Sequence, residues 1–294
     1  MSQAWLVQRE RGTLAALRLI TWITQRIGYR AARVLLAPIC LYFIVFSGPA
    51  RRASRDYLRR VLPHAPTAGD VYRHYHTFAT SILDRVLLLT DQVDRFELSL
   101  HGADVFEQEL RAGRGVLLLG SHLGSFEFCR AAGHRYAGLA VNVVMHEANA
   151  GKIVAWMRET APERAPRVIV PGRPETMLEI RDALQRGEVV AMLGDRPIGR
   201  SHTIEVDFLG APAQFPSGPL RLARALKVPV LLFFGLHRAP LRYDLHFEAL
   251  PTTSGDGEAL DLEALVRRYV ARLESYTRSA PYNWFNFYDY WEHG

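Results

Sequence analysis

The sequence predicts an α/β fold: a mixed, mostly parallel sheet flanked by helices, preceded by a helical segment that associates with a membrane. Three observations predict it. From Phe96 onward, short apolar runs alternate with helical patterns, as in chains whose parallel strands are joined by crossover helices. Residues 1–92 carry helical periodicity instead of strand alternation. An uncharged apolar run, Val34–Phe46, lies between two clusters of arginines. The 294 residues, 49% apolar and 22% charged, suffice for a full core. Residues 1–60 are read as membrane-associating helices and residues 61–294 as the α/β domain.

The run Val34–Phe46 is thirteen residues long, contains Pro38, and is flanked by Arg26, Arg30 and Arg33 before and Arg51, Arg52 and Arg55 after. It is shorter than the ~20 residues a span needs and suits an interfacial or re-entrant segment. No small-x-small cleavage site follows, so it does not read as a signal peptide. Leu17, Ile20, Ile23 and Ile27 recur at helical spacing, as on an amphipathic surface helix. The charge is equally local. Residues 1–60 hold eleven Arg, no Lys and two acids, Glu10 and Asp56, a balance of +9 that leaves −3 for the rest of the net +6. A basic body built for nucleic acid is thereby excluded, whereas anionic lipid headgroups suit the N-terminal arginines. Cys40 and Cys129 are far apart in apolar surroundings and read as packing residues in a reducing compartment.

Asp70 is read as the cap of a helix whose apolar positions are Val71, Tyr75, Phe78, Ile82 and Val86. Phe96, Leu98 and Leu100 alternate as a strand, and Val116–Leu119, Val141–Met145, Val168–Val170, Val189–Leu193 and Val228–Phe234 read as buried strands. A helix over Glu175–Arg186 stops at Gly187. Thr203–Phe208 and Leu241–Leu250 alternate polar with apolar, as antiparallel edges do. The last helix buries Leu262, Leu265, Val266, Tyr269 and Leu273 and stops before Pro281.

Open α/β sheets bind ligands beyond the carboxyl ends of their strands. The residues there are Gly120-Ser121-His122, His146-Glu147, Pro171-Gly172-Arg173, Gly194-Asp195-Arg196 and Gly235-Leu236-His237-Arg238. In Gly120-Ser121-His122-Leu123-Gly124-Ser125-Phe126-Glu127 a carboxylate follows a histidine by five residues. Five residues is about 140° around a helix, so His122 should precede the helix and Glu127 lie in its first turns, where it reaches back to the imidazole. Such a carboxylate fixes the tautomer and favours the imidazolium of a general base. The same spacing in His202 and Asp207 falls in a strand-like stretch, where residues five apart face opposite sides, and reads as coincidence.

That block resembles the H-x4-D/E motif of the glycerolipid and lysophospholipid acyltransferase superfamily, most closely its late lipid A acyltransferase branch of lauroyl and myristoyl transferases. Leu184 through Asp195 resembles the branch's helix end, strand and acidic turn. Asp207-Phe208-Leu209-Gly210, with Pro212 and Ser217-Gly218-Pro219, resembles its turn and helix start, Val228-Pro229-Val230 its "P-V" strand, and Pro281-x2-Trp284 its ending. The chain departs from the branch at Arg196, where Asp-Gln is usual, and in its shorter apolar anchor.

The resemblance implies an acyltransferase at the cytoplasmic face of a bacterial inner membrane. A fatty acyl group would pass from an acyl thioester to a hydroxyl or amine of a lipid, glycolipid or lipid-pigment acceptor, with His122 as general base and Glu127 as its support. The donor would be acyl carrier protein or coenzyme A, with no metal, no other cofactor and no nucleic acid partner. Substrate contacts are expected at Arg196, Arg173, Asp195, Gly120 and Ser217. Arg196 is the first choice for an oxyanion-stabilising cation and Arg173 the second; Asp195 could orient Arg196, and Ser217 could cap the helix at Pro219. A membrane-associated glycosyltransferase and a non-enzymatic membrane-surface binding protein are the competing classes. No nucleotide-phosphate loop or D-x-D pair supports the first, and the polar cluster at the strand ends is unexplained by the second. A serine hydrolase would need G-x-S-x-G, which is absent.

Overall fold

The computed structural model describes residues 22–24, 26–89, 92–128, 140–145, 167–197, 202–253, 256 and 258–291. Ahead of the sheet lie the helices α1 (Tyr29–Phe46), α2 (Gly48–Val61) and α3 (Ala68–Leu89). Then follow β1 (Glu97–His101), α4 (Ala103–Arg111), β2 (Val116–Gly120), β3 (Val141–Val144), β4 (Arg167–Ile169), α5 (Thr176–Gln185) and β5 (Val189–Leu193). The hairpin β6 (Thr203–Phe208) and β7 (Ala211–Pro216), α6 (Gly218–Leu226), β8 (Val230–Ala239), β9 (Arg242–Ala249) and α7 (Leu262–Ser279) complete the chain.

Seven strands form one sheet in the order β1-β9-β8-β2-β5-β3-β4, and β8–β9 is the antiparallel pairing in it. The mostly parallel sheet expected from the sequence is therefore present. One detail differs. The stretch read as an edge at 241–250 forms β9, an interior strand between β8 and β1. Its polar alternation arises because Asp244, His246 and Glu248 share the face opposite the buried Tyr243, Leu245 and Phe247. The other stretch read this way, β6, is an antiparallel edge as expected, paired with β7 in a separate two-stranded sheet.

Strand alternation divides the core. Leu117, Leu119, Val190, Leu232 and Phe234 pack on one face with α5, α6 and α7 through Ile180, Leu220, Val266 and Tyr269. Val116, Leu118, Val189, Leu231 and Phe233 pack on the other with α1, α3 and α4 through Leu36, Leu83, Leu87 and Phe106. Each fully buried Leu, Val or Phe contributes about 1.5–3 kcal/mol.

The apolar run near the N-terminus begins its helix earlier than its composition suggests, at Tyr29, and α1 reaches 18 residues, about 27 Å. Pro38 lies on an exposed face of this helix, where it leaves the Val34 carbonyl without its helical donor. Tyr29, Ala32, Leu36 and Cys40 make one buried stripe, yet Val34, Leu41, Val45 and Phe46 are 54–72% exposed. By length and composition α1 is apolar enough to cross a membrane. Most of the amphipathic stretch read over Leu17–Ile27 lies outside the described residues, as does Cys129. Asp70 is not the cap of α3. Thr67 precedes the helix and exchanges hydrogen bonds with Asp70, whose amide donates to Thr67 Oγ1 at 3.1 Å while Asp70 Oδ2 accepts from the Thr67 amide at 2.8 Å.

Candidate active site

Gly120 ends β2 and Leu193 ends β5, and the two are paired across parallel neighbouring strands. Two residues beyond each stand His122 and Asp195, so strand register alone carries them to the same place. His122 Nδ1 lies 2.9 Å from Asp195 Oδ1, and the His122 amide donates to Asp195 Oδ2 at 3.0 Å. Trp284 Nε1 donates to the same Oδ2 at 3.1 Å, and Tyr290 donates its hydroxyl to the Asp195 carbonyl at 2.7 Å. Tyr269 from α7 and the Gly194 amide both donate to the Gly120 carbonyl, at 2.9 and 3.0 Å, which ties the two strand ends together.

The Asp195 side chain is wholly buried, whereas that of His122 is 34% exposed. Burial opposes ionisation of Asp195, but the contacts from His122 and the charge of Arg196 outweigh it and hold its carboxyl well below the usual range. An ionised carboxylate accepts only, so Nδ1 of His122 must carry the hydrogen and the neutral ring keeps its lone pair at Nε2. Burial and the Arg196 charge lower the His122 pKa, against opposing contributions from Asp195 and Glu127. The net effect favours the neutral ring.

Glu127 does not hold this ring, contrary to the reading of its spacing. It does lie in helical backbone just after the turn, as expected. Its carboxylate, however, pairs with Arg85 of α3 at 2.8 Å and accepts from Ser125 Oγ at 3.2 Å. A permanently charged guanidinium competes better for a carboxylate than a neutral imidazole does.

Arg196 is brought to the site. Its Nη2 donates to the Phe285 carbonyl at 2.7 Å, its guanidinium sits 5.2 Å from the Tyr288 ring, and its Nε is buried without a partner. Arg173 is not brought there. It is exposed beyond β4, three strand positions from β2, about 14 Å at ~4.8 Å per strand. Ser217 is 1% exposed and donates to the His202 carbonyl at 3.0 Å, so its side chain neither caps α6 nor reaches His122. His202 and Asp207 are both exposed on β6 and its approach. Gly120 serves the packing, since a Cβ there would lie 2.6 Å from the Phe126 ring. His146 and Glu147 lie outside the described residues.

The C-terminal aromatic stretch is the part of the site that sequence reasoning missed. Trp284 is fully buried, its carbonyl accepts from His74 Nε2 at 2.9 Å, and Tyr57 donates to the Pro281 carbonyl at 2.6 Å. His74 Nδ1 in turn accepts from Ser54, 2.8 Å away. Burial depresses the His74 pKa to about 4, so it stays neutral as a structural clamp. The Pro281-x2-Trp284 pattern was the available signal.

Gly124 permits the turn between His122 and Glu127. Its φ is +73°, its amide donates to the Asn283 carbonyl at 2.8 Å, and a Cβ would meet the Gly235 carbonyl oxygen at 1.9 Å. Gly124→Ala should therefore destabilise the protein by roughly 2–6 kcal/mol, from left-handed strain together with overpacking. Thermal unfolding measures this, and a midpoint within a degree of the parent would contradict it.

A family model described as bacterial lipid A biosynthesis acyltransferase matches residues 4–293. The chain belongs to that family. It is an acyltransferase acting on lipid, which removes the glycosyltransferase and non-enzymatic readings. No curated protein matches the acyltransferase in sequence.

Proposed function

We propose that the acyltransferase moves a fatty acyl group from a thioester on acyl carrier protein or coenzyme A to a hydroxyl or amine of a lipid A-like, glycolipid or lipid-pigment acceptor. His122 is the general base. The observation that carries this reading is the Nδ1–Asp195 contact, which leaves Nε2 on a partly exposed ring without a partner among the described residues. Nε2 takes the acceptor's proton as its oxygen or nitrogen attacks the thioester carbonyl. The tetrahedral oxyanion then collapses, the carbon–sulfur bond breaks, and the imidazolium returns the proton to the leaving thiolate. Asp195 keeps the ring oriented through the cycle, and its charge together with that of Glu127 favours the imidazolium. Arg196 is a cation whose charge acts on His122, and it supports the oxyanion. Glu127 therefore keeps a part in catalysis, through charge instead of a hydrogen bond. None of these steps needs a covalent enzyme intermediate or a metal.

The test is a transfer assay with purified protein, an isotopically labelled acyl thioester and extracted lipid acceptors, read by mass spectrometry. Labelled acylated lipid should accumulate in step with released thiol. Thiol release without acylated lipid would mark a thioesterase and sink the proposal.

We read the enzyme as working at the cytoplasmic face of the inner membrane, a reading supported by the exposed apolar face of α1 and the arginines beside it. A Leu41→Glu, Val45→Glu double variant inserts two charges that cost ~2.5–3.5 kcal/mol each in hydrocarbon, on positions outside the buried stripe. It should move the protein from the membrane pellet toward the supernatant without lowering its melting temperature. Unchanged sedimentation would refute the anchor.

A further inference from the structure

We propose that His101, Asp244 and His246 form a binding site for a divalent transition-metal ion of the zinc class, separate from the catalytic centre. Strands β1 and β9 run parallel, with His101 opposite His246 and Ser99 opposite Asp244. Asp244 and His246 share one face of β9, and one ligand atom from each of the three residues lies within 4.8 Å of the others. Two imidazoles and a carboxylate make a borderline nitrogen–oxygen set that suits zinc better than magnesium or calcium.

The surroundings fit such a site. His246 Nε2 is buried with no hydrogen-bond partner among the described residues, although a neutral or charged imidazole normally finds one. Asp244 Oδ2 accepts from Arg238 Nε at 2.7 Å, which orients the carboxylate and leaves its other oxygen for an ion. Glu248, next on the same face, is already committed to Arg272 and Tyr276, so the third ligand is Asp244. The Tyr276 ring lies 4.8 Å from that of His246 and backs it. His101 is exposed and gives the ion a path inward.

Donor atoms around a tetrahedral zinc ion, with bonds of ~2.0–2.1 Å, are about 3.3 Å apart. The two rings, now stacked with centroids 4.5 Å apart and planes 12° from parallel, must turn about their Cβ–Cγ bonds to close on the ion. The strand register already fixes their backbones, so side-chain rotation suffices. Because β8 separates β9 from β2, the ion sits about two strand spacings, ~10 Å, from the strand that carries His122. Its effect is to clip the edge strand β1 to β9, a gain in stability and not in rate.

The experiment uses the full chain in detergent, stripped with chelator and then titrated with zinc sulfate by calorimetry and thermal melting. One ion should bind per chain at micromolar or lower concentration and raise the melting temperature, and magnesium should do neither. His101→Gln, which alters an exposed side chain, and His246→Ala should each weaken zinc binding at least tenfold, with acyl transfer unchanged in zinc-free buffer. Absence of stoichiometric binding would overturn the proposal. So would equal affinity in the parent and both variants, or binding abolished by His122→Ala but retained in His246→Ala.

Discussion

Replacing His122 by alanine is expected to lower the acyl-transfer rate by about 10²–10⁴-fold, the range lost with a general base, while the protein stays folded. The imidazole is 34% exposed, and its partner Asp195 keeps the bonds from the His122 amide and Trp284, so the scaffold does not depend on the ring. His202→Ala is the matched control: an exposed histidine outside the site, whose loss should leave the rate within twofold. The parent rate should also carry the pH signature of this base. Burial and Arg196 lower the pKa, so the active neutral form fills as pH rises, and kcat/KM should climb to a plateau with a midpoint below the ordinary ~6.5. Activity in His122→Ala equal to the parent's would remove His122 from the mechanism.

Replacing Asp195 by asparagine should cost nearly as much, for a different reason. The amide oxygen can still accept from the His122 main chain and Trp284, so the shape survives. The amide nitrogen then meets Nδ1 and donates to it, which drives the hydrogen onto Nε2, the atom that must be free. A wrong tautomer of this kind costs on the order of 10²–10⁴-fold in kcat. Loss of the negative charge also disfavours the imidazolium, so the residual activity should have its pH midpoint shifted further down. Asp195→Ala is a harsher change, because two buried donors, the His122 amide and Trp284 Nε1, lose their acceptor at about 1–3 kcal/mol each. A small effect of Asp195→Asn on kcat, with an unshifted pH profile, would reduce Asp195 to a packing role.

The parts of this molecule that local pattern encodes were legible before the structure. Buried strands such as β2 and β5 announce themselves by runs without a polar residue, and Gly187 marks the end of α5 through its φ of +77°. The position of His122 was legible because a strand, a glycine and a histidine in that order put an imidazole at a strand end. Its partner was not, because Asp195 is 73 residues away and depends on β5 lying next to β2. Nothing in the local spacing says which strands are neighbours. Glu127 attracted the pairing by proximity in sequence, but Arg85, on α3, had the stronger claim on it. Trp284 and Tyr290 were hidden for the same reason: an aromatic tail looks alike whether it rests on a surface or, as here, closes the site behind Asp195. The polar face of β9 resembled an edge because it carries Asp244, paired with Arg238, Glu248, paired with Arg272, and His246, stacked on His101, although the strand is interior.

The most direct measurement is nitrogen-15 NMR of the His122 ring, assigned by comparison with His122→Ala, across a pH titration of the full chain. A ring held by Asp195 should be neutral at pH 7, with its hydrogen on Nδ1, and should protonate below the ordinary histidine value. A ring that carries its hydrogen on Nε2, or that is already an imidazolium at pH 7, would contradict the assignment of His122 as the base.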